Sequence, residues 1–355
     1  MVNTPRVIAD FHHEDLYESL RILFEDRLGW NLYRPIGLEW FHEQYWNVWP
    51  ELATAQQYLS PVSTLSEFVE KARSQDNFRP LSANPTMIED GTYLVPSSAY
   101  DVKYRAITLD RFRELKFDYV LASMPQHIVS YQRLIKECQP QAKFIFQVGN
   151  NWDLTGYDGV VNVLSSARKA RFRPNSHVVY YHQEFDWKAF QGNEHNPKHC
   201  MSMSHYQQDK ELFYALEGMM PGWTYKAHGA GNRDHCRGPH CSDIRKAFRE
   251  AGFLWHIKRE GDGFGWNLFG AGAAGVPYVV RKHHFAGMTS EPLLRPGSTC
   301  IDLDTCRTRE EIKRRLEEAS GDYEQWSQRV KHYFHETVNY DNEFESIKRW
   351  IADLR

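Results

Sequence analysis

Long apolar runs are missing from this chain. No stretch approaches the roughly 18 consecutive apolar residues that a membrane helix requires, so a helical membrane span is not expected. The opening MVNTPRVIAD lacks a basic segment leading into an apolar one. No secretory signal is therefore expected, and a cytoplasmic location is. Cysteine is sparse: Cys138, Cys200, Cys236, Cys241, Cys300 and Cys306 are scattered over 355 residues. That pattern suits a reducing compartment better than a disulfide scaffold. The formal charge of -3 shows no excess of basic residues, which removes the global signature of a nucleic-acid binder and leaves only local patches for such a role. Solenoid-length repeats and low-complexity tracts are also absent.

What is present is the composition of a folded protein, 41% hydrophobic and 25% charged. At roughly 100–200 residues per domain the length predicts two domains. Aromatic residues reach 14%, with 11 tryptophans. They fill cores and also build surfaces that stack on sugars and bases. Seventeen histidines make the charge sensitive to mildly acidic pH.

Strands alternate with helices twice over. Arg6–Asp10 reads as an opening strand. A helix carrying Leu16, Leu20, Leu23 and Phe24 follows and stops at Gly29, and Trp30–Pro35 reads as a second strand. Residues 36–90 read as an irregular insertion, with some helix at 64–74. Strands at 117–123, 143–149, 159–164 and 177–182 then resume the alternation, with a helix at 127–138. The second half gives helices at 204–217 and 242–251, extended segments at 223–230 and 253–258, a small-residue helix at 266–274, and strands at 277–281 and 300–304. Thr308 and Glu311 have capping-box spacing before a helix to Ser320. In the helical tail Phe344, Ile347, Ile351 and Leu354 make one apolar stripe. The pattern predicts two doubly wound parallel sheets.

The most specific segment is WHIKREGDGFGWNLFGAGAAGVPYVV, Trp255 to Val280. A strand ends at Lys258, a glycine-rich turn follows, and a helix opens on Gly263-Phe264-Gly265. Amides at a helix start point outward at the positive end of its dipole, which suits a diphosphate. A dinucleotide-binding reading wants G-x-G-x-x-G directly after the strand. Glycines 261, 263, 265 and 270 do not have that spacing.

The segment resembles the donor motif of the GT-B glycosyltransferases, in particular the retaining type with the pattern E-G-F-G-x-x-x-x-E-A-x-A-x-G-x-P. Asp262 takes the place of the first glutamate, Gly263-Phe264-Gly265 matches the G-F-G, and Ala271, Ala273, Gly275 and Pro277 match the closing frame. The second glutamate, which the resemblance assigns to the nucleotide ribose, is Gly270 here. Ribose recognition must then come from elsewhere or from a water. Residues 164–190 resemble the family's passage into its inter-domain linker, a serine-started basic helix followed by a strand and turn. Asp186 and Phe190 match that turn, and Gln183-Glu184 departs from it. Residues 293–318 resemble the family's loop, strand and following helix, and residues 12–29 resemble the start of glycosyltransferases encoded by bacteriophages.

The resemblance implies two Rossmann-like domains facing each other. An acceptor-binding domain would span about 1–187, a donor-binding domain about 188–330, and residues 331–355 would form a helix crossing back to the first. It implies a nucleotide-diphosphate sugar, a UDP-sugar by expectation, as donor, and neither metal nor cofactor. Asp262 would hold sugar hydroxyls. Gly263, Phe264, Gly265, Trp266 and Asn267 would meet the donor, with Lys258 or Arg259 adding positive charge at the leaving group. The acceptor suggested by the phage-like opening is a 5-hydroxymethylpyrimidine base in DNA. Polysaccharide, lipid and protein acceptors stay open, as does a non-catalytic nucleotide-sugar binder, for which Gly270 speaks. No pattern in the sequence encodes an oligomeric state.

Further residues carry two readings each. His12 and His13 follow the first strand, where ligands bind in doubly wound folds, and act as base or acceptor contact or else cap the next helix. His127 has the same position after its own strand, near the donor sugar by resemblance or as a cap. His228, His235, Cys236, His240 and Cys241 fit zinc loosely, without the usual second pair. The same loop could instead cover the donor, with Gly229, Gly231 and Asn232 approaching phosphate. Arg168, Lys169, Arg171 and Arg173 make a solvated helix face or a hold on an anionic acceptor. Trp40, Tyr45 and Trp46 pack the insertion or stack on a base or sugar.

Overall fold

The computed structural model describes residues 4–10, 14–35, 86–97, 99–123, 128–150, 161–172, 174–204, 207–229, 231–234, 241–259 and 261–354. The chain divides into two compact units. Unit 1 comprises Met1–Ser166, Ala170–Phe185 and Glu343–Arg355, and unit 2 comprises Ala167–Lys169 and Asp186–Asn342.

Unit 1 is built on a nine-stranded sheet. Its opening strand β1 (Arg6–Ala9) has Val7, Ile8 and Ala9 fully buried, as a strand covered on both faces requires. Helix α1 (Glu14–Arg21) and a wider π-helical turn (Ile22–Arg27) bury Leu16, Leu20, Leu23 and Phe24. Gly29 then takes φ 68°, which a residue with a Cβ adopts at a cost, and the chain turns into β2 (Asn31–Pro35), parallel to β1. Strands β3 (Thr86–Glu89), β4 (Thr92–Pro96) and β5 (Lys103–Ile107) form an antiparallel meander, and β5 joins β2 in parallel. The region expected to be irregular as far as residue 90 thus ends in an ordered edge strand. The helix expected at 64–74 lies outside the described residues.

After α2 (Leu109–Glu114), β6 (Tyr119–Ala122), α3 (Ile128–Cys138), β7 (Lys143–Val148), β8 (Asn162–Ser165) and β9 (His177–Tyr180) complete the order β3-β4-β5-β2-β1-β6-β7-β8-β9. Between β8 and β9 there is no helix among the described residues. Arg168 and Lys169 sit in a turn directly after β8, because the crossover from Ser165 to His177 passes through Pro174 and is too short to lay a helix on the sheet.

Unit 2 carries five parallel strands in the order β11-β10-β12-β13-β14. They are β10 (His199–Ser202), β11 (Thr224–Ala227), β12 (Phe253–Trp255), β13 (Tyr278–Val280) and β14 (Cys300–Asp302). Helices α4 (Lys210–Met219), α5 (Cys241–Glu250), α6 (Trp266–Ala274), α7 (Arg309–Gly321) and α8 (Tyr323–Thr337) surround them. The capping box holds: Thr308 Oγ1 accepts from Glu311 N at 3.1 Å. Strand β10 was not expected, and the helix expected from Ser204 starts at Lys210.

One face of this sheet packs Cys200, Phe253, Trp255 and Ile257 with Phe213 and Leu216 of α4. Period-two alternation therefore sends Leu254 and His256 to the other face. The small residues of α6 admit α8 closely: a Cβ on Gly272 would lie 3.0 Å from Phe334. The tail is two helices rather than one. After Thr337 the chain breaks and α9 (Tyr340–Ala352) returns to unit 1, where Ile347 and Trp350 join the core of Val7, Leu121 and Leu164. Trp350 Nε1 donates to the His177 carbonyl at 3.0 Å. Among the described residues no helix is long and apolar enough to cross a membrane.

Candidate functional site

In an open parallel sheet, ligands bind outside the carboxyl ends of the strands, where the strand order reverses. In unit 2 the order reverses between β10, the first strand, and β12, the third. The loops leaving β10, β11 and β12 converge there. Asn232, after β11, ties them together: its side chain donates to the Ser204 carbonyl (2.6 Å) and the His228 carbonyl (2.7 Å) and accepts from Gln207 N (2.9 Å).

The glycine-rich turn extends through Gly265. Helix α6 begins at Trp266, and Gly265 is its N-cap with φ 70°. Gly263-Phe264-Gly265 is thus the approach to the helix rather than its first turn. The reason is Gly265's left-handed backbone, which no residue inside a right-handed helix adopts. Leu268 N and Phe269 N close on the Gly265 carbonyl, so the amides opening the helix belong to Trp266 and Asn267. Both residues are half-buried. Phe264 turns inward and stacks on Phe269 at 4.4 Å, so it offers a ligand only its backbone. Gly270, standing where a second carboxylate was sought, faces aromatic packing: a Cβ there would lie 3.1 Å from Phe190 and 3.5 Å from Phe248.

Asp262 sits at the mouth of this turn with its two oxygens divided. Oδ2 accepts from His256 Nε2 at 2.9 Å, and Oδ1 pairs with the Lys258 ammonium. A hydrogen bond to a charged group is worth about 1.5–3 kcal/mol. His256 is 1% exposed, and its Nδ1 lies 3.1 Å from Ser204 Oγ, across the point where the strand order reverses. Burial, reinforced by the Lys258 charge, holds its imidazole well below the ordinary range, hence neutral. Burial also lowers Lys258, whose side chain is 47% exposed. Arg259 is exposed, and its backbone N donates to Gln208 Oε1 at 2.8 Å.

A second cation, Arg281 at the end of β13, pairs with Asp209 at 2.6 Å and Asp304 at 3.2 Å. Asp209 takes φ 53°, a left-handed backbone unusual for a residue with a side chain, and caps α4. The β11 loop has φ 100° at Gly229 and 75° at Gly231, which glycine supplies without strain, and His228 beside it is half-buried and lowered by burial.

Ser204, His256 and Asp209 were not singled out from the sequence, whereas Asn232 was, as a residue that could approach phosphate. The one available signal was a histidine inside the apolar run FLWHIK. Arg168 and Arg171 are both exposed. His12, His13, His127, Trp40, Tyr45, Trp46, Arg173, His235, Cys236 and His240 lie outside the described residues, as does the Cys241 side chain. Among the described residues no cluster of three or more metal-ligating side chains occurs.

No protein-family model matches the chain, and a search of curated proteins finds no match. Solved structures do match. Anabaena HepE in complex with UDP is 9% identical with TM-score 0.60, over 99% of this chain and 100% of that one. An α-glucosyltransferase in complex with UDP and a 13-mer DNA containing an HMU base is 11% identical with TM-score 0.55, over 99% and 100%. A glycosyltransferase from Rickettsia africae is 9% identical with TM-score 0.55, over 98% of each chain. The shared architecture is the GT-B fold of two Rossmann-like units with a last helix returning to the first, as the sequence resemblance implied.

Proposed function

We propose that this chain is a glycosyltransferase that takes a UDP-sugar at the strand ends of unit 2 and transfers the sugar to an acceptor hydroxyl received by unit 1. The observation that carries this reading is Asp262, fixed where β12 meets the opening amides of α6. A carboxylate there suits sugar hydroxyls, while the Trp266 and Asn267 amides and the Lys258 ammonium suit a diphosphate. Among proteins with this fold, HepE has been captured with UDP-glucose, which makes a UDP-sugar the donor to test first.

The acceptor oxygen forms a bond to the anomeric carbon, the bond from that carbon to the diphosphate oxygen breaks, and the proton of the acceptor hydroxyl passes to the departing diphosphate. Negative charge grows on the departing diphosphate. Donors already aimed at it stabilise that charge without reorganising. Lys258, half exposed beside Asp262, leaves it for the phosphate.

For the acceptor, a 5-hydroxymethylpyrimidine in DNA is supported by the phage-like opening and by the α-glucosyltransferase bound to HMU-containing DNA. The exposed Arg168, Lys169 and Arg171 supply local positive charge that the overall balance lacks.

The test incubates the protein with a panel of UDP-sugars and either hydroxymethylated or plain DNA, and follows UDP release and the mass of the DNA. Expected is release with one sugar, accompanied by addition of one glycosyl unit to the modified DNA alone. Asp262→Asn should lower transfer at least a hundredfold, about 2.7 kcal/mol in the barrier, with an unchanged melting temperature. Undiminished transfer in that variant would refute the role of Asp262. UDP release that is indifferent to modified DNA would sink the DNA acceptor alone.

A further inference from the structure

We infer that His256 is a positioning residue for the donor sugar: held by Ser204 on one ring nitrogen, it fixes the Asp262 carboxylate with the other. This inference rests on the reading of Asp262 as the sugar contact.

The contacts define a tautomer. Asp262 Oδ2 only accepts, so His256 Nε2, 2.9 Å away, must carry the proton and donate it. The neutral ring then has a lone pair on Nδ1, and Ser204 Oγ at 3.1 Å donates its hydroxyl hydrogen to it. Ser204 is itself pinned, because its carbonyl accepts from Asn232. The chain of contacts runs from the β11 loop through the β10 loop to β12 and ends on one oxygen of one carboxylate.

That asymmetry matters once a donor enters. Lys258 holds the other oxygen, Oδ1, and its partly exposed side chain leaves it room to turn toward a diphosphate. When it leaves, a carboxylate tethered by Lys258 alone would swing. His256, buried beside Phe285, cannot follow. Oδ2 stays anchored and Oδ1 is presented to the sugar. A partner that orients a ligand-contacting group commonly matters by about 10–100-fold, the range seen for outer-shell partners of metal ligands.

The inference is tested in two measurements on the full chain. In the first, 15N spectra of the histidine rings at pH 7 should show His256 neutral and protonated on Nε2, with S204A losing that single form. An imidazolium, or a ring protonated on Nδ1, overturns the inference. In the second, UDP release is measured with the active UDP-sugar. H256L should lose roughly ten- to a hundredfold in kcat, and H256Q, which keeps a donor where Nε2 was, should regain most of it. H256L combined with D262N should be no slower than D262N alone. Independent losses, or an H256L protein as fast as the parent, overturn the role of His256 and leave the donor reading standing. A parent protein that turns over no UDP-sugar overturns the donor reading, and the role of His256 falls with it.

Discussion

At the scale of single residues, Gly270 separates the motif from its usual chemistry. Placing a glutamate there would complete the pattern on paper, but the space is filled: Phe190 stands 3.1 Å from where a Cβ would go. The longer side chain would have to push apart Phe190, Phe248 and Trp266, which pack edge to face or tilted at 5.4–5.6 Å. Overpacking costs typically 1–3 kcal/mol, and a buried carboxylate adds to it. Gly270→Glu should therefore lower the unfolding free energy by roughly that amount, read as a lower urea midpoint, and leave UDP affinity unimproved. Tighter UDP binding by calorimetry would show instead that the aromatic cluster yields and the ribose reaches this position. Asp262 was legible from the sequence because its neighbours Gly263 and Gly265 lie beside it in the chain. His256 was not, because its two partners are 6 and 52 residues away and only the sheet order brings them together.

At the scale of elements, legibility followed how local each element's reasons are. The 266–274 span of helix α6 was legible because Gly265 and Gly275, with φ 70° and 82°, bracket it and small residues fill it, although the same reading took Gly263–Gly265 as its first turn. Strand β10 was missed because HCMS offers only two strongly apolar residues, and what makes it a strand is its place between β11 and β12. The β4–β5 hairpin was missed although Lys103–Ala106 alternates polar and apolar, because the run is short and its pairing with β4 is what identifies it. Helix α9 was announced by its apolar stripe, and the structure adds Trp350 as its anchor, 6% exposed and stacked on His177 at 5.8 Å. Trp350→Ala should destabilise unit 1 by about 3–5 kcal/mol, read as a lower urea midpoint at constant slope. A change under 1 kcal/mol would mean that α9 rests on the unit rather than belonging to its core.

At the scale of the whole molecule, the histidines set a pH response. Burial holds His195, His199 and His256 below their ordinary range. A group whose folded value is lowered is protonated first in the unfolded chain, so acid draws the equilibrium toward unfolding. The stability these residues contribute is complete above the unfolded value, about 6.5, and is lost as pH falls below it toward the folded values. The melting temperature should therefore drop between pH 7 and pH 5, and His256→Gln should flatten part of that slope. A melting temperature that is level across this interval would contradict the buried, neutral state. The two-sheet architecture itself was legible, because two alternating series of strands and helices admit few other arrangements.

The return of residues 343–355 to unit 1 has a temporal side. A ribosome delivers β1 first and α9 last, so the first unit to emerge is the last to be completed. Until Trp350 arrives, the groove beside His177 is bare, while unit 2 has all its own strands and helices by residue 342. A released chain ending at Asn342 should accordingly resist protease in the later-made half and be cut in the earlier-made one, the reverse of the order of translation.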